Sequence, residues 1–582
     1  MLFLLQISLK IKVFKGFRYK KKQVVFDTTI KAKEEMYMKK FLQKGIRVFL
    51  SASLTAGLLA GCGGGGGEQS SSSAAEGGDS VPTFTIATMR WSDAWPTDFL
   101  ESGIMKELEE EHGINIEWEI YYASDWSEQK SLLLASGDLP DAFLGSNALT
   151  ASDMAQNKGN FVELTDLITE ETMPNLTALF EEDPELKAVC TDRDGKIYSL
   201  PKKLGIRPEV DGYVFYINKE WLDNLGLEVP STYEELENVL EAFITEDADG
   251  DGDPGNEIGY TNSAASNLLS GDLRNILRPF GTMVSRADNY MGINGDGEAV
   301  FVPMEENYKE AVKWMHDMWT KGILDPEYFT QDASMVTSKI QAEGGSQVGL
   351  ITGWTADAVA GTNMDQFVLL EALEGPDGNR YVENASNYLD IADRELVITK
   401  ECEDPEKLLE WADDFYDDLV TLQTQYGSIS DGCITDNGDG TYTINEPEDG
   451  TSVDTSAWSN SLRDFGPKYM HEDFYDKVIL PEGQGDGIKM QEDEVNAKYV
   501  TDDVNVGYPM VQYTDEELNT LTMTGTDIYQ YVEAQYAHWV VDGGIDEEWD
   551  SYLSQLDAMG IQEILKIQKD AYAAYQTTMS ES

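Results

Sequence analysis

Cysteine and histidine are nearly missing from this chain of 582 residues, at four each. Four cysteines are too few for a disulfide framework. The four histidines, His112, His316, His471 and His538, make no zinc spacing such as H-E-x-x-H. There is no G-x-S-x-G elbow, P-loop or Rossmann glycine fingerprint. Positive charge is scarce as well: 42 Lys and Arg stand against 107 Asp and Glu, for a net −65 and a pI near 4.1. So acidic a surface repels phosphate backbones and anionic headgroups, which argues against a nucleic-acid partner. What the chain does have is core material. Hydrophobic residues make up 41% and aromatics 10%, which excludes a disordered or fibrous chain. The length predicts about four domain-sized units, or fewer large ones.

The scarce positive charge is unevenly placed. Thirteen of the 42 basic residues lie in residues 1–47. Met36 to Arg47 reads as a basic n-region and Val48 to Leu59 as a short apolar h-region. The latter falls short of the ~20 apolar residues a spanning helix needs. It ends in Leu59-Ala60-Gly61-Cys62, which resembles the bacterial lipobox, a signal whose Cys becomes the lipidated N-terminus. That resemblance implies a signal peptide over 36–61 and a diacylated, palmitate-bearing Cys62; an ordinary secretory signal with a chance Cys is the plainer alternative. Residues 1–35 fit no signal, and Met36 and Met38 are plausible starts, so a mis-called start is expected there, or else a short apolar helix. Residues 62–80, Gly- and Ser-rich, read as a flexible tether. Cys190, Cys402 and Cys433 are assigned no role beyond core packing.

From Val81 the pattern alternates between strand and helix. Phe84–Thr88 and Ile114–Tyr121 predict strands, Asp98–His112 and Ser127–Ala135 helices, and Gly137–Leu144 a turn into a third strand. That rhythm argues for an α/β fold with a largely parallel sheet, whose ligands bind beyond the strand carboxyl ends. Long helices are expected over Glu305–Lys321, Asp404–Gln425, Thr524–Val541 and Asp546–Ala574.

Five segments in order carry a family resemblance. They are Ala135–Asp141 (ASGDLPD), Asp194–Pro201 (DGKIYSLP), Tyr216–Leu236 (YINKEWLDNLGLEVPSTYEEL), Lys321–Glu327 (KGILDPE) and Ile545–Tyr552 (IDEEWDSY) leading to Gly560. They resemble the extracellular solute-binding proteins of bacterial ABC importers, specifically the large carbohydrate-binding lipoproteins of family 1. Most of these residues are scaffold. Gly226 suits a left-handed helix C-cap, Pro230 blocks further helix, and Thr232 is placed to N-cap the next one.

The resemblance implies a two-lobed, type II periplasmic-binding-protein-like fold with the ligand in a hinged cleft. Lobe 1 is expected to hold 81–205 and 345–398, and lobe 2 to hold 206–344 and 399–582. Crossings are expected near Leu200–Pro208, Gly344–Trp354 and Leu396–Glu401. It also implies an oligosaccharide ligand, ABC permease partners, a monomer, and residence at the outer face of the cell membrane.

Sugars present flat apolar faces ringed by hydroxyls, so their sites want aromatic platforms and planar polar groups. Trp91 and Trp95 follow the first strand, Tyr121, Tyr122 and Trp126 lie at the end of the second, and Asn147 follows the third. Trp354 follows a candidate strand over Val348–Ile351, while Tyr388 and Trp458 lie in loops. Each aromatic has a core alternative. Arg207, near the expected hinge, offers a contact to an acidic sugar or a surface ion pair.

A second pattern is Asp247-Ala-Asp249-Gly-Asp251-Gly252-Asp253-Pro-Gly-Asn256-Glu257. Oxygen ligands at alternate positions, with Gly at the sixth for the bend, form the Ca²⁺ loop pattern. Glu257 stands at position 11 where an EF-hand has its Glu at 12. The resemblance offers Asn256 and Glu257 as the closing pair around a structural calcium ion; a solvated acidic turn is the alternative. Among function classes, a binding protein without a covalent step is expected. A lipid-anchored glycoside hydrolase is the rival, because a carboxylate pair has no local spacing rule.

Overall fold

The computed structural model describes residues 81–204, 214–253, 255–263, 267–285, 287–382, 391–448, 451–481, 483, 485–499 and 507–581. The signal, tether and lipidation readings over 1–80, including Cys62, and the candidates Arg207 and Tyr388 lie outside them.

Fifteen strands run in chain order among the described residues. They are β1 (Thr83–Arg90), β2 (Asn115–Tyr122), β3 (Ala142–Leu144), β4 (Leu200–Lys203), β5 (Val214–Asn218), β6 (Ile258–Tyr260), β7 (Met291–Ile293), β8 (Ala299–Phe301), β9 (Val348–Gly353), β10 (Phe367–Leu370), β11 (Ile391–Ile398), β12 (Ile434–Asp436), β13 (Tyr442–Ile444), β14 (Lys468–Tyr469) and β15 (Val478–Ile479). One six-stranded sheet has the order β14-β4-β11-β3-β1-β2, and a four-stranded sheet has the order β10-β5-β9-β6. In the first, β1 pairs in parallel with β2 and β3, while β11 runs antiparallel between β3 and β4. β1 is buried along nearly its whole length, as an interior strand must be, whereas β2 at the sheet edge is half-buried.

The register sets the site. Arg90 pairs with Tyr122, Thr88 with Leu144, and Leu396 with Leu144. The carboxyl ends of β1, β2 and β3 and the start of β11 therefore share one edge.

Two large apolar cores define two lobes. The first gathers side chains from Phe84 to Leu200, then Leu396 to Tyr416, Leu462 and Tyr469. The second gathers Phe215 to Leu373 and returns with Tyr508 to Ala571. This division corrects the expected boundaries. Residues 348–353 and 367–370 belong to the second sheet and not to the first lobe, and Leu408 to Tyr416, with Leu462 and Tyr469, pack in the first core and not in the second lobe. The chain crosses between β4 and β5, between β10 and β11, and finally through the helix Gly485–Ala497. The candidate strand over Val348–Ile351 is present, but strand partners are set by non-local contacts that no local pattern encodes.

The last crossing is itself a tie. Near its start Asp486 is fully buried, 3.0 Å from Arg463 and accepting from the Tyr426 hydroxyl at 2.6 Å, both in the first lobe. Near its end Asn496 accepts from the Ala372 amide of the second lobe at 3.0 Å.

Local signals hold where they were local. Thr232 caps the helix Tyr233–Thr245, its hydroxyl accepting from the Glu235 amide at 3.1 Å, and Gly226 is left-handed at φ 67°. Two of the expected long helices are broken. Asp417 caps a fresh helix inside 404–425, and Gly560 at φ 100° splits 546–574. Among the described residues no helix is long and apolar enough to cross a membrane.

Candidate ligand-binding site

Three of the predicted aromatics meet at the shared strand edge. Trp95 stacks on Trp458 with ring centres 5.0 Å apart and planes 16° apart. Trp91, 47% exposed, leans on Phe465 at 6.1 Å, and Phe465 in turn lies 6.2 Å from Trp458. A large exposed indole beside two stacked ones is the apolar face that a sugar ring wants. Phe465 was missed as a platform, because the stretch after Trp458 reaches the edge only through the β14–β4 pairing.

The shelf rests on a polar floor. Arg90 is buried, its guanidinium donating to the Trp458 carbonyl and lying 5.9 Å over the Trp458 ring. Burial draws that guanidinium down to about 10. Lys202 sits 4.9 Å from the centre of the Phe465 ring and 2.9 Å from Glu395, both charged groups fully buried. Glu395 also accepts from the Ser146 amide at 3.1 Å and the Gly466 amide at 2.8 Å, so one carboxylate fixes the ends of both loops. Lys468 stands opposite Lys202 in the sheet register, and burial, then the Lys202 charge, pull its ammonium down to about 7.

Asn147 is pinned here by donating its amide to the Met89 carbonyl at 3.1 Å, while its buried Oδ1 accepts no hydrogen bond. Gly145, at φ 100°, permits the approach: a Cβ there would lie 2.6 Å from Asn147 Oδ1 and 3.4 Å from Phe465 Cβ.

The second-strand candidates divide. Trp126 is core, 5% exposed, with its indole donating to the Ala148 carbonyl at 2.8 Å and its ring against Phe143, which corrects its assignment as a ligand platform. Tyr121 packs on Trp126 at 4.7 Å and donates to Glu119; burial first, then that carboxylate, push its phenol up to about 12. Tyr122 is half-buried at the strand end. Trp354 follows β9 and so belongs to the second lobe. It is half-buried, with Lys489 5.1 Å from its ring centre, and its carbonyl accepts from Tyr216 at 3.4 Å.

The acidic loop lies between the helix Tyr233–Thr245 and β6. Asp247, Asp249 and Asp251 bring carboxylate oxygens within 4.8 Å of one another. Gly252 turns at φ 95° and donates its amide to Asp247 at 3.0 Å. Glu257 is 8% exposed; one oxygen accepts from the Ala248 amide, and the buried other accepts no hydrogen bond. Burial, more than any neighbour, raises this carboxyl. Three converging carboxylates and an inward glutamate with an unspent oxygen suit a hard divalent cation. Neither Asp253 nor Glu257 brings an oxygen within the cluster of three, and Asn256 donates its amide N–H to Asp251 at 2.8 Å.

Comparison with known proteins decides the class. The family Bacterial extracellular solute-binding protein matches residues 103–407. The fructooligosaccharide ABC transporter substrate-binding protein FusA of Streptococcus pneumoniae is 31% identical over 91% of this chain and 97% of its own. The chain belongs to the bacterial extracellular solute-binding proteins.

This solute-binding protein has type II relatives among solved structures. FusA in complex with kestose aligns with TM-score 0.71 and 29% identity over 85% of this chain and 99% of that one. An HMO binding ABC-transporter associated solute binding protein from Bifidobacterium longum infantis aligns at 0.73 with 26% identity over 85% and 99%. A FusA EF-hand mutant in complex with fructo-nystose has also been solved. The homologues are substrate-binding proteins and not enzymes, so the hydrolase reading is set aside. Ordered motifs found this family from sequence, although they are scaffold; the lobe partition and Phe465 are long-range features.

Proposed function

We propose that this solute-binding protein is a lipid-anchored receptor. It captures an oligosaccharide on the aromatic shelf of the first lobe, closes the second lobe with Trp354 over it, and delivers it unchanged to an ABC permease. The observation that carries this is the stack of Trp95 on Trp458 beside the exposed Trp91, at the edge where β1, β2 and β3 end. The likeness to FusA over nearly the whole chain supports a sugar cargo and points to fructo-oligosaccharides first. Closure is a population shift: a ligand that touches both lobes favours the closed form by its differential affinity. Cys62 would carry the diacyl anchor and 62–80 the leash. Calcium, held by Asp247, Asp249, Asp251 and Glu257, would be structural, tying the loop before β6.

The test is calorimetry of the purified protein against a glycan panel headed by kestose and nystose. A saturable, stoichiometric signal for an oligosaccharide is expected. A panel without one overturns the reading. For the anchor, a Cys62→Ala chain should appear in the culture medium, whereas an unchanged cell-bound fraction overturns lipidation.

A further inference from the structure

β11 contains a defect. Its pairing with β4 shifts register between Ala392 and Leu396, and Arg394 within the shift has φ 61°. A left-handed arginine inside a strand is strained, and such strain is retained where the surroundings over-determine it. The defect has a geometric result. Successive residues of a regular strand face opposite sides. Here Asp393 and Arg394 both line one cavity of about 400 Å³. The volume lies within the range of small-molecule pockets, roughly 300–1,000 Å³.

The cavity lies between lobes. Ala155, Tyr198 and Asp393 come from the first, and Arg274, Asn289 and Gln512 from the second. Among its described lining there is no ring of the Trp91–Trp95–Trp458–Phe465 shelf. The two places are nonetheless contiguous along the chain. Arg394 donates Nε to the Leu149 carbonyl at 3.1 Å, and the next residue, Glu395, holds the Ser146 and Gly466 amides under the shelf.

The chemistry is that of hydroxyl recognition. Asp393 is 7% exposed and lies 2.5 Å from the Arg394 guanidinium, yet its Oδ1 accepts no well-directed hydrogen bond. An acceptor and a planar donor side by side match two neighbouring hydroxyls of one sugar ring. Tyr198 adds a ring face, with the Lys158 ammonium 5.0 Å from its centre. The described lining carries four basic and four acidic side chains, a balance that favours a neutral polyol over an anionic ligand.

We propose that the cavity between α/β lobes at Asp393 and Arg394 is a second subsite, taking an end unit of a neutral oligosaccharide whose other units lie on the shelf. This rests on the proposed function and adds a chain-length preference to it. The experiment is calorimetry of kestose, nystose and a longer fructan with the full chain, Asp393→Asn, and Ala155→Phe. The second variant fills the cavity without touching the ion pair. The wild type is expected to favour the longer ligands over kestose. In both variants that ratio should fall roughly tenfold, as for loss of a good hydroxyl contact. If the two variants weaken all three ligands by one common factor, or neither shifts the ratio, the subsite is overturned while the proposed function stands. If no fructan binds the wild type, the fructan reading falls and this inference falls with it.

Discussion

At the scale of single residues, the distinction that matters is between aromatics that pack and aromatics that wait. Trp126 spends its indole N–H on Ala148 and is buried, so Trp126→Ala should cost about 3–5 kcal/mol of stability in denaturant titration. Trp95 and Trp458 spend a face on each other and line the strand edge. Trp95→Ala should weaken oligosaccharide binding by ~1–3 kcal/mol in calorimetry, from lost ring burial. Both tryptophans follow strands in sequence, and composition alone could not separate them; the difference is whether the next turn carries the ring beneath the sheet or beyond it. Lys468 gives a pH prediction. Its ammonium is drawn to about 7 in the folded chain against 10.5 ordinarily, so between these values the unfolded chain holds more protons and stability rises with pH. Relative to Lys468→Met, the native protein should gain about 2 kcal/mol between pH 7 and 9. A flat difference across that window would show that the buried lysine stays charged.

At the scale of elements, two loops do the positioning. Gly145→Ala should both destabilise the protein by about 1–3 kcal/mol and weaken sugar binding, since φ 100° disfavours a side chain and the new Cβ meets Asn147 and Phe465. The acidic loop predicts that a chelator lowers the melting midpoint and that Asp249→Asn removes this sensitivity; no midpoint shift would reject a structural ion. How much of this was legible follows from range. The Thr232 cap and the Gly226 C-cap are contained in a few consecutive residues and are found as read, while the Asp-rich loop brings together three of its six expected ligands. The break of 404–425 at Asp417 is local too, yet it was hidden, because apolar spacing continued across it while the Asp417 side chain caps Leu419 and Val420. The bulge of β11 has no such trace, since its register exists only against β4.

At the scale of the whole binding unit, one helix ties the lobes. Asp486 compensates Arg463 at one end of Gly485–Ala497, and Asn496 holds Ala372 near the other. Asp486→Ala should cost about 1–3 kcal/mol, because the buried Arg463 guanidinium loses one charged partner while keeping Asp454 at 2.8 Å, and the buried Tyr426 hydroxyl loses its acceptor. With that tie cut, differential calorimetry should resolve two unfolding transitions where the intact protein shows one. The C-terminal helices also touch the first lobe, Arg193 meeting Glu517 at 2.8 Å and Lys158 meeting Asp515 at 3.5 Å. Exposed pairs of this kind are worth about 0.2–1 kcal/mol each and weaken with salt.

The insertion of β11 between β3 and β4 bears on how the polypeptide acquires its shape. Until residue 398 has emerged, the six-stranded sheet lacks an interior member, and until 571 has emerged the other core lacks its closing helices. The first half is complete only once Tyr469 has emerged, and the second only once Ala571 has. Completion of both halves therefore waits for nearly the entire length, and a growing chain keeps one open core until its last helices are made.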